Sequence, residues 1–171
     1  MRVGLGYDVH AFAEDRDLVI GGVRIDYELG LAGHSDADVL AHAVSDAVLG
    51  AARCGDIGEH FPPDDPAYSG ADSIELLAAV RFIVAEAGFE VVDVDCVIVA
   101  QAPKMASYRD EIRANLAGAL GLPVENVGLK ATTTEHLGFE GRGEGIGAYA
   151  VALLEKTASC RSSETPDPAA E

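Results

Sequence analysis

Asp8 and His10 stand two apart in Tyr7-Asp8-Val9-His10, and His42 closes the stretch Gly33-His34-Ser35-Asp36-Ala37-Asp38-Val39-Leu40-Ala41-His42. On a strand, Asp8 and His10 share a face. In a helix opening near Asp36, His42 projects from the first turns. Two ligands from a strand and one from a helix can close on a single cation. Imidazole with carboxylate suits Zn2+, and three protein ligands leave a fourth position for water or substrate. Asp46, at i+4 on the same helix face, is placed to hold the second ring nitrogen of His42, as outer carboxylates often do. An Asp-x-His on a strand and a lone helix histidine also occur without metal. What favours a site is that three of the five histidines fall in these two stretches.

A second group lies downstream, in Lys130-Ala131-Thr132-Thr133-Thr134-Glu135. It has no Gly-x4-Gly-Lys pattern and is not a P-loop. It still offers a diphosphate what it needs: hydroxyl donors, backbone N–H groups at a strand end, and Glu135 as an oxygen ligand. Mg2+ is commonly held by one or two carboxylates together with substrate phosphates. The alternative for the threonines is a ladder of cross-strand contacts. Ala100 to Ala106, which includes Pro103, Lys104 and Met105, can wrap a flat base by its backbone. Phe139 and Arg142 sit in the glycine-dense turn Gly138 to Gly145.

These groups need elements to carry them. Met1 to Phe12 has the pattern of a strand; its Gly4-x-Gly6 lacks the third glycine and the helix of a dinucleotide fingerprint. Leu18-Val19-Ile20 and Val23-Arg24-Ile25 flank Gly21-Gly22, a hairpin signal. A helix is expected from about Asp36 to Arg53, ended by Cys54-Gly55. Asp56 to Gly70 then reads as a long loop rich in Pro and Asp, of the length that is usually functional or a solvated connector. Asp72 and Glu75 form a capping-box pattern for a helix with Leu77, Val80, Val84 and Ala87 on one stripe, stopped by Gly88. Val92 to Ile98 alternates as a strand. A third helix runs from about Ala106 to Leu120, closed by Gly121. Val127 to Ala131 and Ile146 to Leu154 are the last strands. Residues 158–171 read as a disordered tail. The order predicts an α+β single-domain sandwich, a mixed four- to five-stranded sheet with helices on one face.

Composition narrows the function classes. A chain of 171 residues suits one core, and a net charge of -17 argues against nucleic-acid partners. No run of apolar residues is long enough for a membrane span. The three cysteines, Cys54, Cys96 and Cys160, form no framework and point to a reducing cytoplasm. Any phosphate site on so acidic a chain must be locally reversed by metals, backbone N–H groups or a few basic residues.

Gly6-Tyr7-Asp8-Val9-His10-x-Phe12, His34-Ser35-Asp36-x-Asp38-Val39-x-x-His42, Asp56-Ile57-Gly58-x-x-Phe61-Pro62, Gln101-x-Pro103-Lys104 and Lys130 to Gly145 occur in one order. Together they resemble the 2-C-methyl-D-erythritol 2,4-cyclodiphosphate synthases of the non-mevalonate isoprenoid pathway, from about Met1 to Thr157. The resemblance implies a cyclising phosphorus–oxygen lyase that converts 4-diphosphocytidyl-2-C-methyl-D-erythritol 2-phosphate to the cyclic diphosphate and releases CMP. It implies Zn2+ on Asp8, His10 and His42, and Mg2+ or Mn2+ on Glu135. It further implies a homotrimer with active sites at subunit interfaces and no membrane or nucleic-acid partner. The cytidine part would meet Ala100, Pro103, Lys104, Met105 and Ala106 with Ala131, Thr132 and Thr133, and Thr134, Phe139 and Arg142 would be further substrate-binding residues. The methylerythritol part would meet His34, Ser35, Asp56, Ile57, Gly58 and Phe61. His34 and Thr133 would stabilise the crowded phosphorus. Many members read Phe-Pro-Asp where this chain has Phe61-Pro62-Pro63-Asp64-Asp65, so Asp64 and Asp65 share the candidate diol contact. Many carry a glutamate where Tyr149 stands here. The residues by themselves also fit a metal-dependent phosphohydrolase or a non-catalytic metal-binding module.

Overall fold

A computed structural model of the chain describes residues 1–62, 64–68 and 70–157. The expected tail, 158–171, with Cys160, lies outside the described residues. The long first strand β1 (Arg2–Ala13) pairs antiparallel with the last strand β7 (Gly145–Lys156) and, at its far end, with the two-residue β4 (Gly30–Leu31). On the other side of β7 lies β5 (Phe89–Val99), antiparallel, followed by β6 (Val127–Thr132), parallel to β5. The mixed sheet has five strands in the order β4-β1-β7-β5-β6. The hairpin β2 (Leu18–Ile20) and β3 (Val23–Ile25) forms about Gly21-Gly22 as predicted, but as a separate two-stranded sheet.

Helix α1 (Val39–Ala52) lies across β1 and β7, while α3 (Ser73–Glu86) and α4 (Arg109–Leu120) pack towards β5 and β6. Gly4 and Gly6 are what let α1 approach: a Cβ on either would come within 1.9 Å of the carbonyl oxygen of Ala47 or Ala43. The rejected Gly4-x-Gly6 motif therefore has a packing role. Buried Ala148, Ala150 and Ala152 of β7 keep the same seam shallow. Among the described residues, no helix covers the opposite sheet face. It shows Val3, Leu5, Tyr7, Val9, Tyr149 and Val151 at 41–69% exposure, with Tyr7 and Tyr149 stacked at 4.6 Å between ring centroids. None of the helices among the described residues is long and apolar enough to cross a membrane.

Several boundaries differ from expectation. The first helix begins at Val39 rather than near Asp36, with Asp38 as its cap: Asp38 Oδ1 accepts from Leu40 N and Ala41 N at 3.1 and 3.0 Å. The Asp56 to Gly70 segment is no plain loop, for Ile57–His60 forms a short helix, α2, and Pro66–Tyr68 a 3-10 turn. Residues 106–108 form a turn ahead of α4, and the glycine-dense turn holds a one-turn helix, α5 (Gly138–Gly141). Asp72 caps α3 as predicted, accepting from Ile74 N at 2.8 Å, and Ala87 is its exposed terminal residue rather than part of the buried stripe.

Candidate metal and phosphate site

Asp8 and His10 project from the helix-covered face of β1, and His42 reaches them from the first turn of α1. Asp8 Oδ2 lies 3.0 Å from both His10 Nε2 and His42 Nδ1, and those two nitrogens are 3.2 Å apart. One ligand atom from each residue falls within 4.8 Å of the others. His10 Nδ1 is 2.6 Å from the carbonyl oxygen of Ala32. A carbonyl only accepts, so Nδ1 carries the hydrogen and Nε2 turns a lone pair to the cluster. A carboxylate and imidazole lone pairs converging at this spacing are a donor set that suits a divalent cation. Without a cation the cluster holds itself by charge. Burial pushes the Asp8 carboxyl up, but hydrogen bonds from His10 and His42 outweigh it and hold the carboxyl well below its usual range. Burial pulls His10 down, and its bond to Asp8 more than restores it, for a net rise.

Asp46 does not hold His42. Its Oδ1 accepts from Ile57 N at 2.8 Å, tying α1 to α2. Helix side chains lean towards the N-terminus, so the His42 ring covers the turn before it and leaves the position one turn later behind. His42 Nε2 instead meets Ser73 Oγ at 3.0 Å and Ser35 Oγ at 3.2 Å. Nothing in the local sequence pointed to Ser73; its only local mark is its place beside the helix cap Asp72.

His10, His34, Ser35, His42, Ile57, Gly58 and Phe61 wall one cavity of about 210 Å³. His34 is exposed at its rim. Arg16, which sequence reasoning passed over, donates to the carbonyls on either side of His34, Gly33 O at 2.7 Å and Ser35 O at 2.8 Å. Asp56 caps α2 through Glu59 N, and Phe61 sits edge-on against Tyr68 at 5.4 Å. Asp65 accepts from Ala67 N at 2.9 Å, Asp64 is exposed, and Pro63 between Pro62 and Asp64 is outside the described residues.

Ala100, Pro103, Lys104, Met105, Ala106, Ala131, Thr132 and Thr133 line a second cavity of about 240 Å³. An adjoining one of about 310 Å³ shares Met105, Ala106 and Ala131. Thr133 Oγ1 donates to Glu135 Oε1 at 2.9 Å. Glu135 and His136 both have positive φ, 52° and 65°, so this turn holds two side chains in the left-handed region that ordinarily favours glycine. Thr134 Oγ1 donates to Leu137 O, Phe139 is half-buried in α5, and Arg142 is held by Glu144 at 2.7 Å. Lys130 is paired with Asp95.

The metal cluster and the threonine cluster share one end of the sheet but do not meet. Asp8 pairs with Ala148, Ala148 with Ile98, and Ile98 with Ala131. Three strand spacings separate the ends of that row, about 14 Å.

Known proteins match nearly the whole chain. The sequence matches the YgbB family over residues 1–155. A curated protein of Desulforamulus reducens, named 2-C-methyl-D-erythritol 2,4-cyclodiphosphate synthase, is 58% identical over 156 residues, covering 91% of this chain and 99% of its own length. One of Geotalea uraniireducens with the same name is 57% identical over the same shares. Among solved structures, the bifunctional IspDF of Campylobacter jejuni superposes with a TM-score of 0.87 at 44% identity, covering 91% of this chain. This chain spans 42% of that longer protein. IspF of Plasmodium falciparum, solved as a CDP complex, superposes at 0.79 with 31% identity, over 91% of this chain and 96% of its own. By its sequence over residues 1–155 and by its fold, the chain belongs to the YgbB family.

Proposed function

We propose that the chain cyclises 4-diphosphocytidyl-2-C-methyl-D-erythritol 2-phosphate to 2-C-methyl-D-erythritol 2,4-cyclodiphosphate with release of CMP, in isoprenoid precursor synthesis. The observation that carries this reading is the convergence of Asp8, His10 and His42 beside the His34 cavity, at the same sheet end as the threonine cavity. The 2-phosphate attacks the β-phosphorus in line and CMP departs, so the substrate brings its own nucleophile. What is left for the protein is positioning and neutralisation of charge. Zn2+ on Asp8, His10 and His42, and Mg2+ or Mn2+ on Glu135, would supply Lewis-acid neutralisation of the phosphates when bound.

The remaining work falls to side chains and backbone. The Ala100–Ala106 segment and Ala131 to Thr133 wrap the cytosine and ribose. Ile57, Gly58 and Phe61 enclose the methylerythritol carbons, and Asp56 with Asp64 or Asp65 takes its hydroxyls. His34, held by Arg16 on both flanking carbonyls, and Thr133 donate to oxygens on the phosphorus as it crowds. Because the two clusters lie about 14 Å apart in one chain, each complete site is built from the metal half of one copy and the nucleotide half of another. A homotrimer packed through the open face of Val3, Leu5, Tyr7, Val9, Tyr149 and Val151 provides this. The synthase domain is residues 1–157.

The test is an assay of the purified protein with the diphosphocytidyl substrate. CMP and cyclic product in equal amounts, with no inorganic phosphate, are expected. Inorganic phosphate as the product would make the chain a phosphohydrolase, and zinc binding without turnover would make it a binding module.

A further inference from the structure

Ser73 has one hydroxyl hydrogen, and the structure shows where it goes. Its Oγ is 2.5 Å from Asp36 Oδ1, and a carboxylate oxygen only accepts. Asp36 is itself fixed for that contact: Oδ2 accepts from Ser73 N at 3.1 Å and Oδ1 from Asp38 N at 3.2 Å. The same Ser73 Oγ lies 3.0 Å from His42 Nε2. With its hydrogen spent on Asp36, Oγ can only accept there, so Nε2 carries the ring hydrogen. Ser35 Oγ, 3.2 Å from the same nitrogen, accepts from Ala37 N at 3.2 Å, and its own hydrogen has an acceptor in Ser73 Oγ at 3.5 Å. His42 Nδ1, the nitrogen facing Asp8 and His10, is then the one that can exchange a proton for a cation. Ser73 is 1% exposed, so water does not compete for these bonds.

We propose that Asp36 and Ser73 are a positioning pair that fixes the His42 ring in the tautomer presenting Nδ1 to Asp8 and His10, and so sets metal affinity from outside the ligand set. This rests on the metal reading of the triad. Ser73 reaches His42 from the start of helix α3, a different element from either carrier of the ligands, so the ring is held at its far nitrogen by a third body. Partners of this kind commonly change metal affinity by roughly 10–100-fold.

The experiment has two readouts. In metal-free protein, ring-nitrogen NMR should show a hydrogen on His42 Nε2. Ser73→Ala, whose helix keeps its Asp72 cap, should give a mixture of tautomers. Competition with a chromophoric chelator should show zinc bound roughly 10–100-fold more weakly by Ser73→Ala and by Asp36→Asn. A wild-type His42 with no hydrogen on Nε2 would overturn the proposal, as would a Ser73→Ala protein with an unaltered ring signal and unaltered zinc affinity. The wild-type ring signal decides even where Ser73→Ala does not fold. Wild-type protein that binds no zinc at all would instead overturn the metal reading, with the ring signal still judging the Asp36–Ser73 pair by itself.

Discussion

The metal cluster and the threonine cluster are built by opposite means. The bonds that set the first join residues far apart in sequence: Asp8 to His42 across 34 positions, Ser73 to His42 across 31, and Ser73 to Asp36 across 37. Those within the second are mostly local, with Thr133 to Glu135 two apart, Thr134 to Leu137 three, and Arg142 to Glu144 two. The first cluster is wedged between sheet and helix. The second is a pair of exposed turns at strand ends, with two non-glycine residues at positive φ. One half is preorganised by the tertiary fold. The other is shaped by its own turn and exposes its donors to whatever approaches. Damage to the fold should therefore disable the metal half first, while changes in the second should act on substrate without touching the fold.

The largest effect is expected where that wedge is closest. Gly6→Val would drive a Cβ into the Ala43 carbonyl at 1.9 Å, and backbone cannot yield as a flexible side chain does. Overpacking of this kind costs about 1–3 kcal/mol or more, so loss of soluble folded protein and of zinc together is expected in thermal melts and metal analysis. A Gly6→Val protein with native melting and full zinc would show that the wedge is looser than drawn.

His42→Ala removes a ligand but no buried apolar contact of the core. A folded protein with little zinc and little turnover is expected, and full zinc occupancy by metal analysis would refute the ligand assignment. His34→Ala should keep its zinc and lose roughly 10²–10³ in kcat, the range for deleting one donor to a developing charge; a change confined to KM would show that His34 only binds. Glu135→Gln crosses to the other half. It should leave zinc content and melting unchanged while raising the magnesium concentration needed for half-maximal rate.

The smallest effect is a pH dependence specific to the metal-free cluster. His10 is raised in the folded chain, so its contribution is fully present below the ordinary histidine value of 6.5 and is lost as pH rises through the folded value. Asp8 is depressed, so its contribution is present above 3.8 and lost as pH falls through its folded value. Chelator-treated protein should accordingly melt highest in mildly acidic buffer. Zinc should reverse the upper limb, since it takes the place of the proton. A melting temperature of the metal-free protein flat across that window would dissolve the coupling between Asp8 and His10.

The contrast also explains what the sequence could disclose. Asp8 and His10 were legible because alternation on a strand is a local rule, and the Gly21-Gly22 hairpin and the Asp72 cap are local for the same reason. The threonine turn was legible as a cluster of donors, though the double left-handed turn at Glu135 and His136 was not, since neither residue type announces positive φ. Asp46 was assigned to His42 by helix spacing, and the structure gives that place to Ser73, which arrives from a helix 31 residues away. Asp36 was legible only as a residue near the start of a helix. Its role became visible only with α3 beside it. Gly4 and Gly6 were read against a motif, whereas their reason is the distance of α1.

The bare sheet face carries a consequence for how the protein comes into being. A freshly folded single chain would display Val3, Leu5, Tyr7, Val9, Tyr149 and Val151 to the cell. In the proposed trimer, chains that meet in register about its axis would cover those side chains, and chains that meet otherwise would adhere. Both fates depend on encounter, so they accelerate together as synthesis quickens, and dilution does not separate them. What separates them is orientation. Of the sheet's outer edges, β6 presents Lys130 clamped to Asp95, while β4 pairs with only Phe12 and Ala13 of β1. The protein's yield is then decided in the interval between folding and first correct encounter, by how few alternative ways its surface leaves for two copies to touch.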